Sequence, residues 1–322
     1  MQQYKQLTYE QRCQIEVLKK SELSQQEIAS RIGTSQSTIS RELARNTGLR
    51  GYRHKQAQRA AQTRRDRACR PYKMTPDLIA VIEEKLGEKW SPEQVAGWLG
   101  AIRETQISHE RIYLHVWSNK AAGGDLYRNL RRHGKRYQKR CNGKTNRGQI
   151  KNRTSIEERP GIVDNKSRIG DWEIDTVIGK GHSGALVTIV ERATQFTLSS
   201  RVQGKTAEAV TAATIGLLQP YSAALHTITA DNGKEFAYHE EITRALGVTV
   251  YFAHPYHSWE RGLNENTNGL LRQYWPKRTD FKKIESDEVA AVVSQLNDRP
   301  RKTLGFATPA QLMQNHLAAE AA

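Results

Sequence analysis

Three carboxylates in the C-terminal half of this 322-residue chain lie in local sequences of three different kinds. Asp175 belongs to a strand-like run at 171–177, Asp231 ends an apolar run before Asn-Gly, and Glu265 lies in a helix-like run. Carboxylates that converge from separate elements can bind two hard divalent cations through their oxygens. Two such cations can activate a water or hydroxyl and stabilise an in-line displacement at phosphorus. The three carboxylates therefore predict phosphodiester chemistry on nucleic acid.

The local sequence patterns differ in how far each one identifies a single carboxylate. Strand alternation places Asp171, Glu173 and Asp175 on one face, so the pattern alone leaves three candidates in the first run. Asp231 falls at the carboxyl end of a strand, where open α/β sheets commonly bind ligands, and the following Asn-Gly turns the chain away. On a helix, Arg261, Glu265, Asn268 and Arg272 share one face. For Glu265 taken alone, a surface ladder of salt bridges is the better interpretation.

The excess positive charge is confined to the first half of the chain. The net charge is +16, and residues 1–160 carry 33 Lys and Arg against 16 Asp and Glu, whereas residues 161–322 carry 17 against 18. Such a distribution is typical of binding to a phosphate backbone. A solvated basic face that only aids solubility is the alternative, but solubility alone would not concentrate the charge.

Several classes of protein are disfavoured by composition. The three cysteines are odd in number and form no CxxC pair, which argues against a zinc finger or a disulfide framework and favours reduced thiols. The chain offers no apolar signal-peptide core at its start and no run of about 18 apolar residues. We expect a cytoplasmic protein with no membrane segment and no small-molecule cofactor.

Residues 1–50 are predicted to form a helix-turn-helix module. Ser24 and Glu27 fit a capping box, Gly33 supplies a left-handed helix end, and Thr34 or Ser35 begins the third helix. Helix, glycine-containing turn and helix make the helix-turn-helix pattern. A three-helix domain without a ligand is the alternative. Outward-facing polar residues of the third helix can contact bases and phosphates, and the candidates are Gln36, Ser37, Ser40, Arg41 and Arg45.

Three further segments separate this module from the region that carries the carboxylates. Residues 51–72, dense in arginine, are predicted as a basic linker, a helix, or both in turn. Residues 73–120 resemble a second helix-turn-helix, with His109 and Arg111 exposed. Residues 121–160 form a second basic linker, in which the stretch 131–153 has ten Lys and Arg and no acid. Its Arg147, Lys151 and Arg153 are candidate DNA contacts.

Residues 161–322 predict an α/β domain. Three strand-like runs at 172–178, 185–191 and 196–202 are joined by short turns typical of an antiparallel meander. A helix, a strand, a second helix and a second strand follow, and helices at 258–274, 286–297 and 309–316 complete the chain. This order predicts a mixed five-stranded sheet covered by helices, and it is also the order of the RNase H fold.

Three blocks of sequence, in order and at matching spacing, resemble the transposases of the insertion-sequence-thirty family. They are WEIDTV at 172–177, TADNGKEF at 229–236 and HPYHSWERGLNENTNGLLRQYWP at 254–276. The N-terminal LTYEQR at 7–12 and STISREL at 37–43 resemble the family as well, so the resemblance covers nearly the whole chain.

The resemblance implies a DDE transposase with helix-turn-helix modules and an RNase H-like core of the retroviral-integrase type. It assigns Asp175, Asp231 and Glu265 as catalytic residues and ligands of two Mg²⁺ ions, with Mn²⁺ as a substitute. Asp175 would bridge both ions. Expected partners are double-stranded DNA, as terminal inverted repeats and as target, and further copies of the chain. Residues expected to assist at the site are Glu173, Asn232, His257, Trp259, Arg261, Asn264 and Asn268.

A rival hypothesis is a sequence-specific DNA-binding regulator whose core has lost catalysis. A nuclease that cuts without joining is a second rival. All three carboxylate positions of the family pattern are filled, which favours an active enzyme.

Overall fold

The computed structural model describes residues 6–67, 74–132, 150–255 and 257–320. The chain divides into two compact units, 1–75 and 76–322, which are described separately below. No helix among the described residues is both long and apolar enough to cross a membrane.

The first unit is a helical module closed by a small hairpin. Its helices begin as the sequence predicts: Ser24 and Glu27 form a capping box, and Gly33 ends the second helix in the left-handed region at φ 72°. Ser35 caps the third helix. The elements are α1 (Tyr9–Lys20), α2 (Gln25–Ile32), α3 (Gln36–Asn46), β1 (Thr47–Gly48), β2 (Gly51–Tyr52) and α4 (His54–Arg67).

Part of the predicted basic linker is an ordered element of this unit. Residues 54–67 form α4, whose Ala57 is fully buried in a core with Ile15 and Ile39. Two carboxylates help to attach it: Glu16 accepts hydrogen bonds from the backbone and ring nitrogens of His54, and Glu42 accepts one from Tyr52. The arginines of α4 therefore extend from a packed helix.

The second unit begins with a three-helix module that contacts the core domain of the same unit. Lys302 Nζ lies 2.6 Å from Glu93 Oε1, and Gln94 Nε2 donates to the carbonyl of Pro300 at 2.9 Å. These contacts join the predicted second module directly to the core domain. The domain limits expected from the sequence, 73–120, 121–160 and 161–322, stay predictions. The module contains α5 (Pro76–Gly87), α6 (Pro92–Ile102) and α7 (His109–Ala121).

The core domain of the second unit is built on one mixed sheet. Its strands are β3 (Thr154–Ser155), β4 (Asp171–Ile178), β5 (Ala185–Glu191), β6 (Thr197–Val202), β7 (Thr227–Ala230) and β8 (Thr249–Phe252). Its helices are α8 (Ile162–Asn165), α9 (Ala207–Leu218), α10 (His239–Leu246), α11 (Gly262–Tyr274), α12 (Ser286–Asn297) and α13 (Pro309–Glu320).

The strand order is β3-β8-β7-β4-β5-β6. Strands β4, β5 and β6 pair antiparallel, and β7 and β8 add in parallel beside β4. This is the predicted RNase H-like arrangement with one correction: the described residues contain six strands instead of five. The extra strand is β3, which pairs with β8 at Thr154 and Tyr251. Its two residues are too few for an alternation pattern to show in the sequence.

Helices cover both faces of the sheet, and strand alternation decides which side chains meet which helices. Trp172 and Ile174 of β4 pack in the core formed with α9 and α10. Val177 of the same strand packs with Leu270 and Leu271 of α11. Since Glu173 and Asp175 share the parity of Val177, the carboxylates of β4 face α11.

Candidate active site

Asp171, the first of the three acidic residues of β4, is a buried structural group. Its two carboxylate oxygens accept from Arg168 at 2.9 and 3.0 Å, and Oδ1 also accepts from the hydroxyl of Thr227 at 2.7 Å. With 1% of its surface exposed, Asp171 joins β4 to β7 and is closed to a substrate.

Glu173 is buried as well, but it contacts the helix that carries Glu265. Its Oε1 pairs with Arg192 at 2.5 Å, and its Oε2 accepts from the backbone N–H of Asn264 at 3.1 Å. Burial raises the pKa of Glu173, and the charge of Arg192 opposes that rise. Both oxygens are engaged, so Glu173 holds the first turn of α11 against β4.

Asp175 is the acidic residue of β4 that reaches an accessible position, with a fifth of its side chain exposed. Its Oδ1 accepts from the N–H of Thr176 at 2.8 Å, and its Oδ2 accepts from Asn268 Nδ2 at 2.9 Å. Burial raises the pKa of this carboxyl, the charge of Arg261 opposes the rise, and Asp231 adds to it. The structure thus separates three candidates that alternation left equivalent.

Asp231 follows β7 directly, and its loop is fixed by backbone contacts. Its Oδ1 accepts from the N–H of Gly233 at 2.8 Å, and the neighbouring Asn232 donates to the carbonyl of Ala253 at 2.5 Å. Arg153 donates to Asn232 Oδ1. A predicted DNA contact therefore lies beside the residue that follows Asp231.

Arg261 brings the two carboxylates into one site. Its Nη1 lies 3.5 Å from Asp175 Oδ2, and its Nη2 lies 3.5 Å from Asp231 Oδ2. One guanidinium can reach both side chains only because β4 and β7 are adjacent parallel strands. Two carboxylates that share one positive group, with oxygen donors still partly exposed, fit a divalent cation such as Mg²⁺.

Glu265 lies on α11, the helix that begins directly after Arg261. It is exposed in the first turn of α11. Arg261 precedes it by four residues and Asn268 follows by three, and both contact Asp175. Glu265 therefore lies on the helix that begins next to Arg261 and that contacts Asp175 through Asn268.

The helix that carries Glu265 begins later than predicted. The sequence pattern runs from 258 to 274, whereas the structure has a 3-10 turn at Ser258–Arg261 and an α-helix only from Gly262. Arg261 has non-helical angles of φ −128° and ψ 41°. That conformation belongs to the residue that spans Asp175 and Asp231.

One acidic residue near the site was missed by sequence reasoning. Glu235 is buried, accepts from the hydroxyl of Thr176 at 3.1 Å and pairs with Lys205 at 2.6 Å. Its charge contributes to the raised pKa of Asp175. It stands four residues after Asp231 in TADNGKEF, so the signal was present within a block already singled out.

The remaining residues expected to assist at the site differ in accessibility. His257 lies 3.2 Å from Glu260 through its Nδ1 and is part of the segment before α11. Asn264 is completely buried, which places its side chain inside the protein. Arg147 lies outside the described residues, and so does the side chain of Trp259.

The predicted DNA-binding side chains lie mostly at the surface. On α3 the exposed residues are Gln36, Ser37, Arg41 and Arg45, and Ser40 is half-buried. On α7, His109 and Arg111 are exposed, and so are Lys151 and Arg153 before β3. These positions are accessible to a partner.

Comparison with known proteins places these modules in a family. A helix-turn-helix domain family matches residues 3–46. A transposase for insertion sequence element IS4351 of Bacteroides fragilis is 45% identical over 307 residues, 95% of this chain and 94% of that protein. The transposase InsI for IS30A of Escherichia coli is 39% identical over 324 residues, 97% of this chain and 84% of that protein. The catalytic core domain of BIV integrase aligns with 48% of this chain and 99% of its own, at 20% identity and a TM-score of 0.38.

A helix-turn-helix module followed by an RNase H-like core with paired aspartates defines a class of DNA-processing protein. Within that class, the near full-length relatives decide the family. The chain belongs to the IS30 family of transposases.

Proposed function

We propose that this protein is a DDE transposase that cuts DNA at the terminal inverted repeats of its own insertion sequence and joins the freed 3′ ends to target DNA. The observation that carries the proposal is the convergence of Asp175 and Asp231 on Arg261, at 3.5 Å each. Family membership supports it, because the relatives are named as transposases of insertion sequences.

In this proposal Asp175, Asp231 and Glu265 hold two Mg²⁺ ions, for which Mn²⁺ substitutes. Bound cations would supply the charge that activates the attacking oxygen and stabilises the displacement at phosphorus. Glu265 is exposed at the start of α11, one helical turn from Asn268, so it is available to complete the set.

The surrounding residues orient the ligands. Asn268 donates to Asp175 and accepts from the hydroxyl of Thr188 at 3.0 Å, which fixes its amide. The N–H of Gly233 holds Asp231. Partners of this kind commonly fix the orientation of metal-binding side chains. Direct attack by water or a 3′-hydroxyl requires no covalent intermediate, so no nucleophilic Tyr or Ser is assigned.

The DNA path in this proposal uses basic and polar surfaces of both units. The exposed residues of α3 and the helix-turn-helix match support binding to the repeats through the first unit. Near the site, Arg153 lies next to Asn232. A cavity of about 560 Å³ at the end of β4 is lined by four basic side chains, Lys180, Arg272, Lys277 and Arg278. Because two element ends must be paired, an oligomer on DNA is proposed, acting in the bacterial cytoplasm at the nucleoid.

The test is an incubation of the purified protein with a labelled duplex that carries the repeat flanking its own gene, with and without Mn²⁺. We expect metal-dependent cleavage at the tip of the repeat and joined products when target DNA is added. Asp175→Ala should abolish both, whereas Glu208→Ala, which removes an exposed carboxylate of α9, should not. Binding without cleavage, even with paired ends and target present, would favour the DNA-binding regulator, and cleavage without joining would favour a nuclease.

A further inference from the structure

A second set of potential metal ligands lies outside the paired carboxylates. His254, His257 and Glu260 each offer one ligand atom, and these atoms all lie within 4.8 Å of one another. The three residues come from a single short segment between β8 and α11. Because the three ligands are joined by a short stretch of chain, binding one cation costs little loop-closure entropy. We name these residues the His-His-Glu cluster.

The spacing of the cluster suits a tetrahedral ion. Glu260 Oε1 lies 2.8 Å from His254 Nδ1 and 3.2 Å from His257 Nδ1. A zinc ion bound at about 2.0–2.1 Å separates two of its tetrahedral ligand atoms by about 3.3 Å. Both imidazole nitrogens therefore lie close to the separation from the Glu260 oxygen that one shared ion would require.

Contacts around the cluster orient its ligands. His254 turns Nδ1 toward Glu260, and its other nitrogen, Nε2, lies 3.2 Å from Glu157 Oε1. A histidine that binds a metal usually donates its second ring N–H to a carboxylate or carbonyl, which fixes the tautomer and the ring. The second oxygen of Glu260 accepts from the backbone N–H of His254 at 2.8 Å. Thus His254 and Glu260 are each oriented by a contact through an atom that is not a proposed metal ligand.

We propose that the His-His-Glu cluster binds one divalent transition cation, with Zn²⁺ as the fitting ion. Two imidazoles and one carboxylate favour zinc or a similar metal, whereas Mg²⁺ and Ca²⁺ prefer sites made of oxygen alone. The site is separate from the Asp175 and Asp231 pair and does not depend on the proposed transposase activity.

Its place in the fold suggests what a bound ion does. Glu260 immediately precedes Arg261, which spans Asp175 and Asp231, and α11 begins at Gly262. An ion that joins residues 254, 257 and 260 fixes the segment from which Arg261 extends. The proposed cation therefore has a structural role: it fixes Glu260, and with it the neighbouring Arg261, at the start of α11.

The test measures Zn²⁺ binding to the full chain by competition with a chromogenic chelator, in excess Mg²⁺ and with the three cysteines alkylated. We expect one tightly bound Zn²⁺ per chain. His257→Gln should abolish it. Glu157→Gln, which leaves all three ligands in place, should weaken it about 10- to 100-fold. Added Zn²⁺ should also slow hydrogen exchange in residues 253–262.

Two controls make the result decisive. His115→Gln removes another histidine paired with a glutamate, Glu83 at 2.8 Å, and should bind Zn²⁺ like the unaltered protein. The double variant Asp175→Asn with Asp231→Asn should also keep its Zn²⁺. Loss of Zn²⁺ in that double variant would place the ion among the catalytic carboxylates. That result overturns the proposal. So does Zn²⁺ binding that His257→Gln leaves unchanged, and so does a failure of the unaltered protein to bind Zn²⁺ stoichiometrically.

Discussion

Glu173 on β4 accepts a hydrogen bond of 3.1 Å from the backbone N–H of Asn264 in the first turn of α11. Glu173 precedes Asp175 by two residues on the strand, and Asn264 precedes Glu265 by one on the helix. One buried carboxylate thus ties the strand of the first candidate ligand to the helix of the third. A carboxylate at a helix N-terminus also interacts favourably with the helix dipole.

Glu173→Gln should lower the free energy of unfolding of the second unit by roughly 3–5 kcal/mol, because it leaves buried Arg192 with only the longer, 3.8 Å ion pair to the exposed Asp164. Urea denaturation followed by tryptophan fluorescence measures this, since all six tryptophans lie after residue 75. The double variant Glu173→Gln with Arg192→Met should recover much of the loss, because no unpaired charge remains. A double variant as unstable as Glu173→Gln alone would show that Arg192 is not the decisive partner.

Asn268→Ala should reduce cleavage about 10- to 100-fold while leaving binding to the repeat unchanged, because Asp175 loses the amide that orients it. Cleavage rates titrated against Mg²⁺ should show that the variant needs more metal. Thr188→Val removes the hydroxyl that donates to Asn268 and to the backbone carbonyl of Asp175 but leaves the Asn268–Asp175 bond itself, so its effect should have the same direction and a smaller size. Equal cleavage at every Mg²⁺ concentration would mean that Asn268 does not orient a metal ligand.

Arg261→Gln should increase the stabilisation that Mg²⁺ gives to the protein. In the absence of metal the guanidinium compensates Asp175 and Asp231, so it competes with a cation for the same charges. Thermal unfolding with and without Mg²⁺ measures this, because a ligand that binds only the folded state raises Tm. A Mg²⁺-induced rise in Tm no larger in the variant than in the unaltered protein would show that Arg261 and the cation do not share a site. Arg201→Gln is the matched control, since Arg201 lies on β6 and donates to the carbonyl of Lys282.

Most of the fold follows from patterns that are local in sequence. The alternation in β4, the nearly continuous apolar run of β5 and the capping residues of α2 and α3 depend on neighbours a few positions apart, so a single sequence reveals them. The strand β3 could not be predicted, because two residues in a basic segment acquire strand structure only by pairing with β8. The packed helix α4 was uncertain for a related reason: its one fully buried residue, Ala57, carries little hydrophobic signal.

The candidate site was predictable in composition but not in arrangement. The family resemblance assigned Asp175, which stays a prediction. The structure adds that Asp171 and Glu173 are engaged in buried ion pairs with Arg168 and Arg192, which the sequence pattern does not reveal. The position of Arg261 between two carboxylates depends on a non-helical turn before α11, and helical periodicity does not report such a turn. The contacts of Glu235 join three separate segments and have no periodic signature.

Arg41→Ala should weaken binding to the inverted repeat by about 1–3 kcal/mol if the side chain reads a base. Arg41 is exposed on α3, the second helix of the helix-turn-helix pair. Electrophoretic mobility shifts with the repeat and with an unrelated duplex separate two roles. A loss confined to the repeat marks a base contact, whereas an equal loss on both marks a phosphate contact. Lys19→Ala, which removes an exposed positive charge from α1, should change both affinities less than Arg41→Ala does.

Glu16 should make the stability of the first unit depend on pH. It accepts from Lys20 and from the backbone and ring nitrogens of His54, and these contacts lower its pKa from 4.5 to about 2. A carboxyl whose pKa is lower in the folded state stabilises the fold above its unfolded pKa, and that contribution is lost as pH falls from about 4.5 toward about 2. Glu16→Gln should therefore destabilise the unit near neutral pH and differ little from the unaltered protein near pH 2. Hydrogen exchange of α1 measures this, compared between the two proteins at the same pH. A difference that persists undiminished at the acid end would assign the loss to packing instead of charge.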